Sequence, residues 1–315
     1  MIKSKSMLDL SKVKTYNLSK RKSKVNKADF CRIPKKDRSF AGFYKGLPHI
    51  LKARDFRSLV EAIVSAHKKH KPVIFMMGAH VIKCGLSPLV IDMLRRKIFT
   101  CIALNGAGII HDFELAFQGK TSEDVSEELV KGRFGMSRQT AEFINAAINE
   151  GVKQGKGIGI SVGEKIGREK LKFKDLSILY NALNYGVPVT VHVAVGTDII
   201  HQHPSFDGAL TGKGSQRDFH TLVKAVSQLD KGGVVINFGS AVLLPEVFLK
   251  ALNLSRNLGF RVKDFTTATF DMIHHYRPQQ NVVERPTYKS GKGYYIIGHH
   301  EIMLPLLVWA VLERL

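Results

Sequence analysis

Residues 72–121 constrain the fold most, because within this stretch a short apolar run twice ends in small residues and opens into a helix. Pro72 to Met77 is apolar and short enough for a buried strand. Gly78 and Gly85 break it, Ser87 can cap the next helix, and Pro88 stands where the first helical turn tolerates proline. That helix is predicted to run to about Lys97, and Phe99 to Leu104 reads as a second buried strand. Asn105-Gly106-Ala107-Gly108 then turns the chain into IIHDFELAF. Two apolar strands joined by a helix make a βαβ unit, in which small residues after a strand leave room for a ligand and free helix amides can face phosphates.

The alternation continues. A helix is expected over 55–69, where Phe56, Leu59, Val60, Ile63 and Val64 recur at helical spacing. Thr121-Ser122-Glu123-Asp124 opens a short helix and Ser137 a longer one to about Val152; 151–162, with glycines at 155, 157 and 159, reads as a flexible connection. Further helices are predicted at 175–185, 215–229 and from Gly239-Ser240 to about Asn257. Strands are predicted at 187–195, ending in Gly196-Thr197-Asp198, at 234–238, and at 261–267, ending at Thr266-Thr267-Ala268. A polar loop over 274–293 precedes a short strand and a C-terminal helix. The fold class is therefore α/β: a Rossmann-like, mostly parallel sheet with helices on both faces. Its ligand site is expected at the carboxyl ends of the strands.

Charge separates one segment. The formal net charge is +21, and residues 1–38 hold 13 Lys/Arg against three acids. A basic N-terminal arm over 1–38 and a single domain over 39–315 follow. Such an arm suits an anionic partner, yet no nucleic-acid-binding signature accompanies it, and the ordinary alternative is a solvated extension. Cys31, Cys84 and Cys101 form no CxxC pair, no apolar run is long enough to span a bilayer, and no apolar core follows the basic N-terminus. A cytoplasmic protein without a membrane partner is expected.

The segment GAHVIKCGLSPLVIDML…ALNGAGIIHDFE, with TSED following, resembles the NAD-binding part of the deoxyhypusine synthase family. The resemblance extends from about residue 55 to the C-terminus and implies a homotetramer with NAD as cofactor. It implies cofactor contacts at Gly78, Ala79 and His80, at Asn105, Gly106, Ala107 and Gly108, and at Thr197 and Asp198. Gly239, Ser240, Thr266, Thr267 and Ala268 complete that set. Family members oxidise an amine with NAD and pass the product through a lysine imine. Ser290-Gly291-Lys292-Gly293, ahead of Leu304-Pro305-Leu306-Leu307-Val308, makes Lys292 the candidate nucleophile, although the family's tryptophan is absent.

Two departures point to a different substrate. Where the family has a glycine-rich turn followed by Lys-His-His, this chain reads GSAVLLPEVF, and the family's acids around a cationic amine are missing. Instead His192, His201, His203, His274, His275, His299 and His300 crowd the second half. Imidazoles serve as acid–base groups, metal ligands or anion partners near neutral pH. His201 and His203 would share one side of an extended segment and could hold a metal with Asp198 or His275, but no fixed ligand spacing is present, so no metal is expected. Acids of His111-Asp112-Phe113-Glu114 could cap helix amides, or His111 could face the nicotinamide. The expected activity is that of a deoxyhypusine synthase-type transferase, NAD-dependent oxidation of an amine or amino-acid substrate with transfer of its alkyl group through a lysine imine, with Lys292, His111 and His201 as catalytic candidates. The alternatives are a dehydrogenase or lyase without a covalent lysine, and a non-catalytic nucleotide- or nucleic-acid-binding protein.

Overall fold

Burial on both faces is what turns the apolar runs into strands of a parallel sheet, and β1 (Val73–Met77) and β4 (Val234–Phe238) are buried at every residue. The computed structural model describes residues 8–33 and 38–315. Beside these lie β2 (Cys101–Asn105), β3 (Val189–His192), β5 (Thr266–Asp271) and β6 (Lys292–Ile297). All pairings are parallel, and the order β3-β2-β1-β4-β5-β6 is that of a Rossmann-like sheet, with its switch point between β1 and β4.

The chain divides into two compact units, residues 1–53 and 54–315. In the first, 3-10 turns at Leu10–Lys12, Leu18–Lys20 and Lys27–Asp29 are opened by Asp9, Asn17 and Asn26, whose side chains accept from backbone N–H groups two residues on. Helix α1 (Phe40–Gly46) is capped by Ser39. Among the described residues this unit holds no strand; the parts of the expected arm at 1–7 and 34–37 lie outside the described residues.

In the second unit the helices alternate with the strands. Helix α2 (Leu51–Lys68) buries the five apolar positions that its spacing marks. After β1 come α3 (His80–Lys83) and α4 (Ser87–Arg95), and after β2 come α5 (Gly106–Gln118), α6 (Val125–Val130), α7 (Arg138–Lys153), α8 (Ile158–Arg168) and α9 (Ile178–Asn184). Helix α10 (Gly208–Val226) leads into β4, α11 (Leu243–Asn257) follows it, α12 (Tyr276–Pro278) follows β5, and α13 (His300–Arg314) ends the chain. Ile74 and Met76 of β1 pack with Leu222 and Val226 of α10 and Leu244 and Phe248 of α11. On the alternate side of the strands Phe75, Phe238 and Phe270 stack across β1, β4 and β5, with ring centroids 5.8 and 4.9 Å apart. Among the described residues no helix is long and apolar enough to cross a membrane.

Four local expectations are corrected. The strand expected over 261–267 begins only at Thr266, because Lys263 and Asp264 form a turn that accepts hydrogen bonds from Lys231 and Gly232. Helix α10 starts at Gly208 rather than 215, capped by Asp207. The 151–162 segment is no flexible connection: it is a tight turn into α8, and Asp218 accepts from the amides of Gly159 and Val191, each at 2.9 Å. The 274–293 segment is partly helical, with a π-helical stretch at Gln279–Glu284 burying Asn281, Val282 and Val283.

Candidate functional site

Asn105 ends β2 and accepts a hydrogen bond from the Gly108 amide at 3.1 Å, so the strand hands directly into α5. Gly106 is required at that junction for a steric reason. A Cβ there would lie 1.9 Å from Oδ2 of Asp198, the N-terminal flank of the 3-10 turn after β3. The Asp198 carboxylate thus rests on the amino end of α5, where it accepts from the Ala107 amide and where the helix dipole favours negative charge. Desolvation pushes its pKa up to about 6, with the Ala107 bond acting in the opposite direction. Oδ2 is buried without a hydrogen-bond partner. Gly106→Ala is therefore expected to cost about 1–3 kcal/mol of stability by overpacking. Urea unfolding checks this, and a variant as stable as the wild type would show that Asp198 moves aside freely.

His111 lies one and a half turns into α5. Its Nδ1 is 2.6 Å from Oγ1 of Thr121, which donates to Oε2 of Glu114 at 2.6 Å. Oε1 of Glu114 accepts from Thr140 at 3.1 Å. Desolvation lowers the His111 pKa, with the Glu114 charge opposing and Lys83 reinforcing the shift. His111, Glu114 and Thr121 line a cleft of about 560 Å³ together with Lys83, Ala107, Lys120, Thr197 and Asp198, a volume in the range of small-molecule sites.

The structure sorts the sequence-predicted site residues into three places. His111, Ala107, Thr197 and Asp198 line the cleft, whereas Asn105, Gly106 and Gly108 form the β2–α5 junction on either side of Ala107 and are not part of the lining. Gly78, Ala79, His80, Gly239 and Ser240 stand at the ends of β1 and β4, where a Cβ on Gly78 would meet the Gly239 carbonyl oxygen at 2.3 Å. Ser240 there accepts from the Leu244 amide at the start of α11. Thr266, Thr267 and Ala268, by contrast, open β5 at its amino end, and Lys292 pairs with Thr266 at the amino end of β6. Thr266 and Lys292 thus lie at the opposite edge of the sheet, roughly 17 Å from the carboxyl rim at about 3.3 Å per strand residue, and Ala268 stands midway along β5. The residue that β5 does bring to the rim is buried Asp271.

The histidines do not gather. His201 is only 3% exposed at its side chain, and its Nδ1 accepts from the amides of Gly196 (3.0 Å) and Asp198 (3.2 Å), so it holds the loop that carries Asp198. His203 turns instead to Ser205 at 2.8 Å, because Ile199–Gln202 is a 3-10 turn and not extended. His192 is a buried strand residue bonded to Thr190 at 3.0 Å, its pKa lowered to about 4 by desolvation. His300 sits over Gly239 beside His80, with ring centroids 5.2 Å apart. Among the described residues no group of three His, Cys, Asp or Glu could hold a metal ion. Of the departures from the family pattern, Leu244 is a core residue of α11.

Lys83, Glu114 as a partner of His111, and Thr121 are site residues that the sequence reading missed. The His111/Glu114 spacing of three on one helix face is the signal available for the second.

No protein-family model matches the chain, and no curated protein matches it. Solved structures do. AgrE, in a ternary complex with ornithine and NAD+, is similar with a TM-score of 0.52 at 13% identity, over 82% of this chain and 32% of that one. ArgZ, an arginine dihydrolase of the ornithine-ammonia cycle in cyanobacteria, gives 0.50 at 14%, over 84% and 33%. A candidate deoxyhypusine synthase from Entamoeba histolytica gives 0.49 at 10%, over 87% and 93%. The chain thus spans about a third of the length of AgrE and ArgZ. These likenesses are of fold, a Rossmann-like α/β sheet, and assign the chain to no family.

Proposed function

We propose that the chain is an NAD-dependent enzyme that oxidises a small amine- or hydroxyl-bearing substrate in the β2–β3 cleft, with His111 as the proton acceptor. The observation that carries this reading is the buried Asp198 carboxylate, seated in a glycine cradle at the strand ends with Oδ2 unpartnered and His111 lining the same cleft. A dinucleotide's hydroxyl-rich part fits that acceptor. Its phosphates do not fit there, because the carboxylate already occupies the amino end of α5. Asp198, Thr197 and the Asn105–Gly108 turn would hold the sugar, and the bound cofactor would supply a hydride acceptor. The fold-level likeness to a protein crystallised with ornithine and NAD+ supports the same class of chemistry. Lys83 and Lys120 in the lining suit a carboxylate on the substrate.

His111 takes the proton of the amine or hydroxyl as the adjacent carbon is oxidised, and its burial-lowered pKa keeps it neutral and ready to accept. A step without a covalent lysine is the form this geometry favours, since Lys292 lies at the amino edge of the sheet.

Thermal unfolding tests the cofactor. A ligand that binds only the native state stabilises by about 2.7 kcal/mol at a hundredfold excess over Kd. Millimolar NAD is therefore expected to raise Tm by several degrees, and Asp198→Asn to lose most of that rise. No shift with NAD or NADP sinks the proposal. A screen of amines, amino acids and hydroxy acids for NADH formation then identifies the substrate.

A further inference from the structure

We infer that Thr121 and Glu114 are positioning residues that preset His111 as a proton acceptor, by fixing its hydrogen on Nδ1 and leaving the Nε2 lone pair to the cleft. The argument is one of hydrogen counting. A threonine hydroxyl has one hydrogen to donate, and that of Thr121 goes to Oε2 of Glu114 at 2.6 Å. The carboxylate accepts on both sides, because Oε1 takes the Thr140 hydroxyl at 3.1 Å. Only a lone pair of Thr121 is left to face His111 Nδ1, also at 2.6 Å, so Nδ1 carries the ring hydrogen. With the opposite tautomer, two lone pairs would meet at hydrogen-bond distance, and a half-buried network would lose a bond.

The same arrangement supports the charged state. When Nε2 takes a proton from a substrate N–H or O–H, that bond breaks, an Nε2–H bond forms, and the ring becomes an imidazolium. Its Nδ1 lies 3.9 Å from Oε2 of Glu114, which stabilises the positive charge. Lys83, on α3, opposes it, as does desolvation, which is the largest influence on the ring. The resting site is thus neutral and accepting, with a carboxylate placed to receive the charge. Glu114 lies three residues after His111 on α5, and Thr121 lies on the segment leading to α6, so the relay locks that segment to the helix carrying the base.

The inference deepens the proposed function and rests on it only for the catalytic use of His111; the tautomer itself is measurable without cofactor or substrate. Nitrogen-15 NMR of the full-length, histidine-labelled protein reads it, with His111 assigned by loss of its signals in His111→Gln. The expected result is the Nδ1–H tautomer in the wild type. Thr121→Val keeps the side-chain shape and removes the hydroxyl, and is expected to release the ring towards Nε2–H. Glu114→Gln is expected to lower the His111 pKa by about one unit, a roughly tenfold loss of proton affinity, from loss of the neighbouring charge. Signals of the other histidines unchanged in both variants show that each has folded. An Nε2–H tautomer in the wild type, or a His111 pKa unmoved by Glu114→Gln, overturns the relay. A protein that shows the relay but binds no NAD overturns the cofactor reading instead.

Discussion

Turnover by the His111→Gln variant is expected to fall by about 10²–10⁴-fold, the loss typical of removing a positioned general base. The NAD-dependent rise in Tm should stay near that of the wild type, because Asp198 and the Asn105–Gly108 turn form the cofactor side of the cleft in the proposed reading. Glutamine keeps a polar side chain of similar reach but cannot accept and carry a proton. The pH profile supplies a second check. A base whose folded pKa lies below the ordinary 6.5 is neutral at higher pH, so activity is lost only as pH falls through that lowered value. The acidic limb of the wild-type profile should therefore lie below pH 6.5. Near-normal turnover in the variant would transfer the base to another group.

The largest stability effect is expected at Asp218, which lies outside the cleft. From α10 its carboxylate accepts the amides of Ile158 and Gly159 at the start of α8 and of Val191 in β3. A Cβ on Gly157 would sit 1.8 Å from Oδ1, so the glycine-rich turn is shaped around this acid. Asp218→Ala leaves these buried amides without their acceptor and is expected to cost about 2–4 kcal/mol, at about 1–3 kcal/mol for each uncompensated group with partial relaxation. Urea unfolding midpoints measure it, and a loss below about 1 kcal/mol would show that other groups satisfy the amides. Desolvation pushes the Asp218 pKa up to about 7, the three amide bonds acting the other way. The folded state then holds the proton more tightly than the unfolded chain, so this group's contribution to stability falls as pH rises from about 4 to about 7. The stability difference between wild type and Asp218→Asn should decline over that window, because the amide cannot titrate.

Asp112 shows how a correct residue can be read with the wrong partner. Read as opening a helix it suggests a cap for its own amides, but α5 already begins at Gly106, and from the middle of that helix the side chain reaches Ser177 at 2.5 Å and the Ile178 amide at 2.6 Å, and so caps α9. Its pKa is pushed up to about 6 by burial, against those bonds. His111, its neighbour, points to the cleft. Adjacent helix residues diverge by about 100°, so one can serve packing and the next chemistry. The segment after β4 also serves packing: within GSAVLLPEVF, Leu244 is buried in the core between α11 and the sheet.

By itself the sequence determined the α/β class, β1 and β4 nearly to the residue and β2 to within two, the parallel sheet, and the small residues that end β1, β2 and β4. Period and apolar run length report burial, and burial on both faces is what a central parallel strand requires. The tertiary structure decided which end of β5 and β6 reaches the rim, and so placed Thr266 and Lys292 at the opposite edge and Thr267 and Ala268 within the strand, away from the rim. It also decided that Asp198 lands on α5, that Thr121 joins Glu114 to His111, and that Asp218 closes the 151–162 turn. Each of these depends on hydrogen bonds or steric fits between residues brought together by the folded backbone, 59 positions apart for Asp218 and Gly159. Such pairs leave no periodic mark in a sequence, since nothing local distinguishes an acid that caps a distant helix from one that faces solvent.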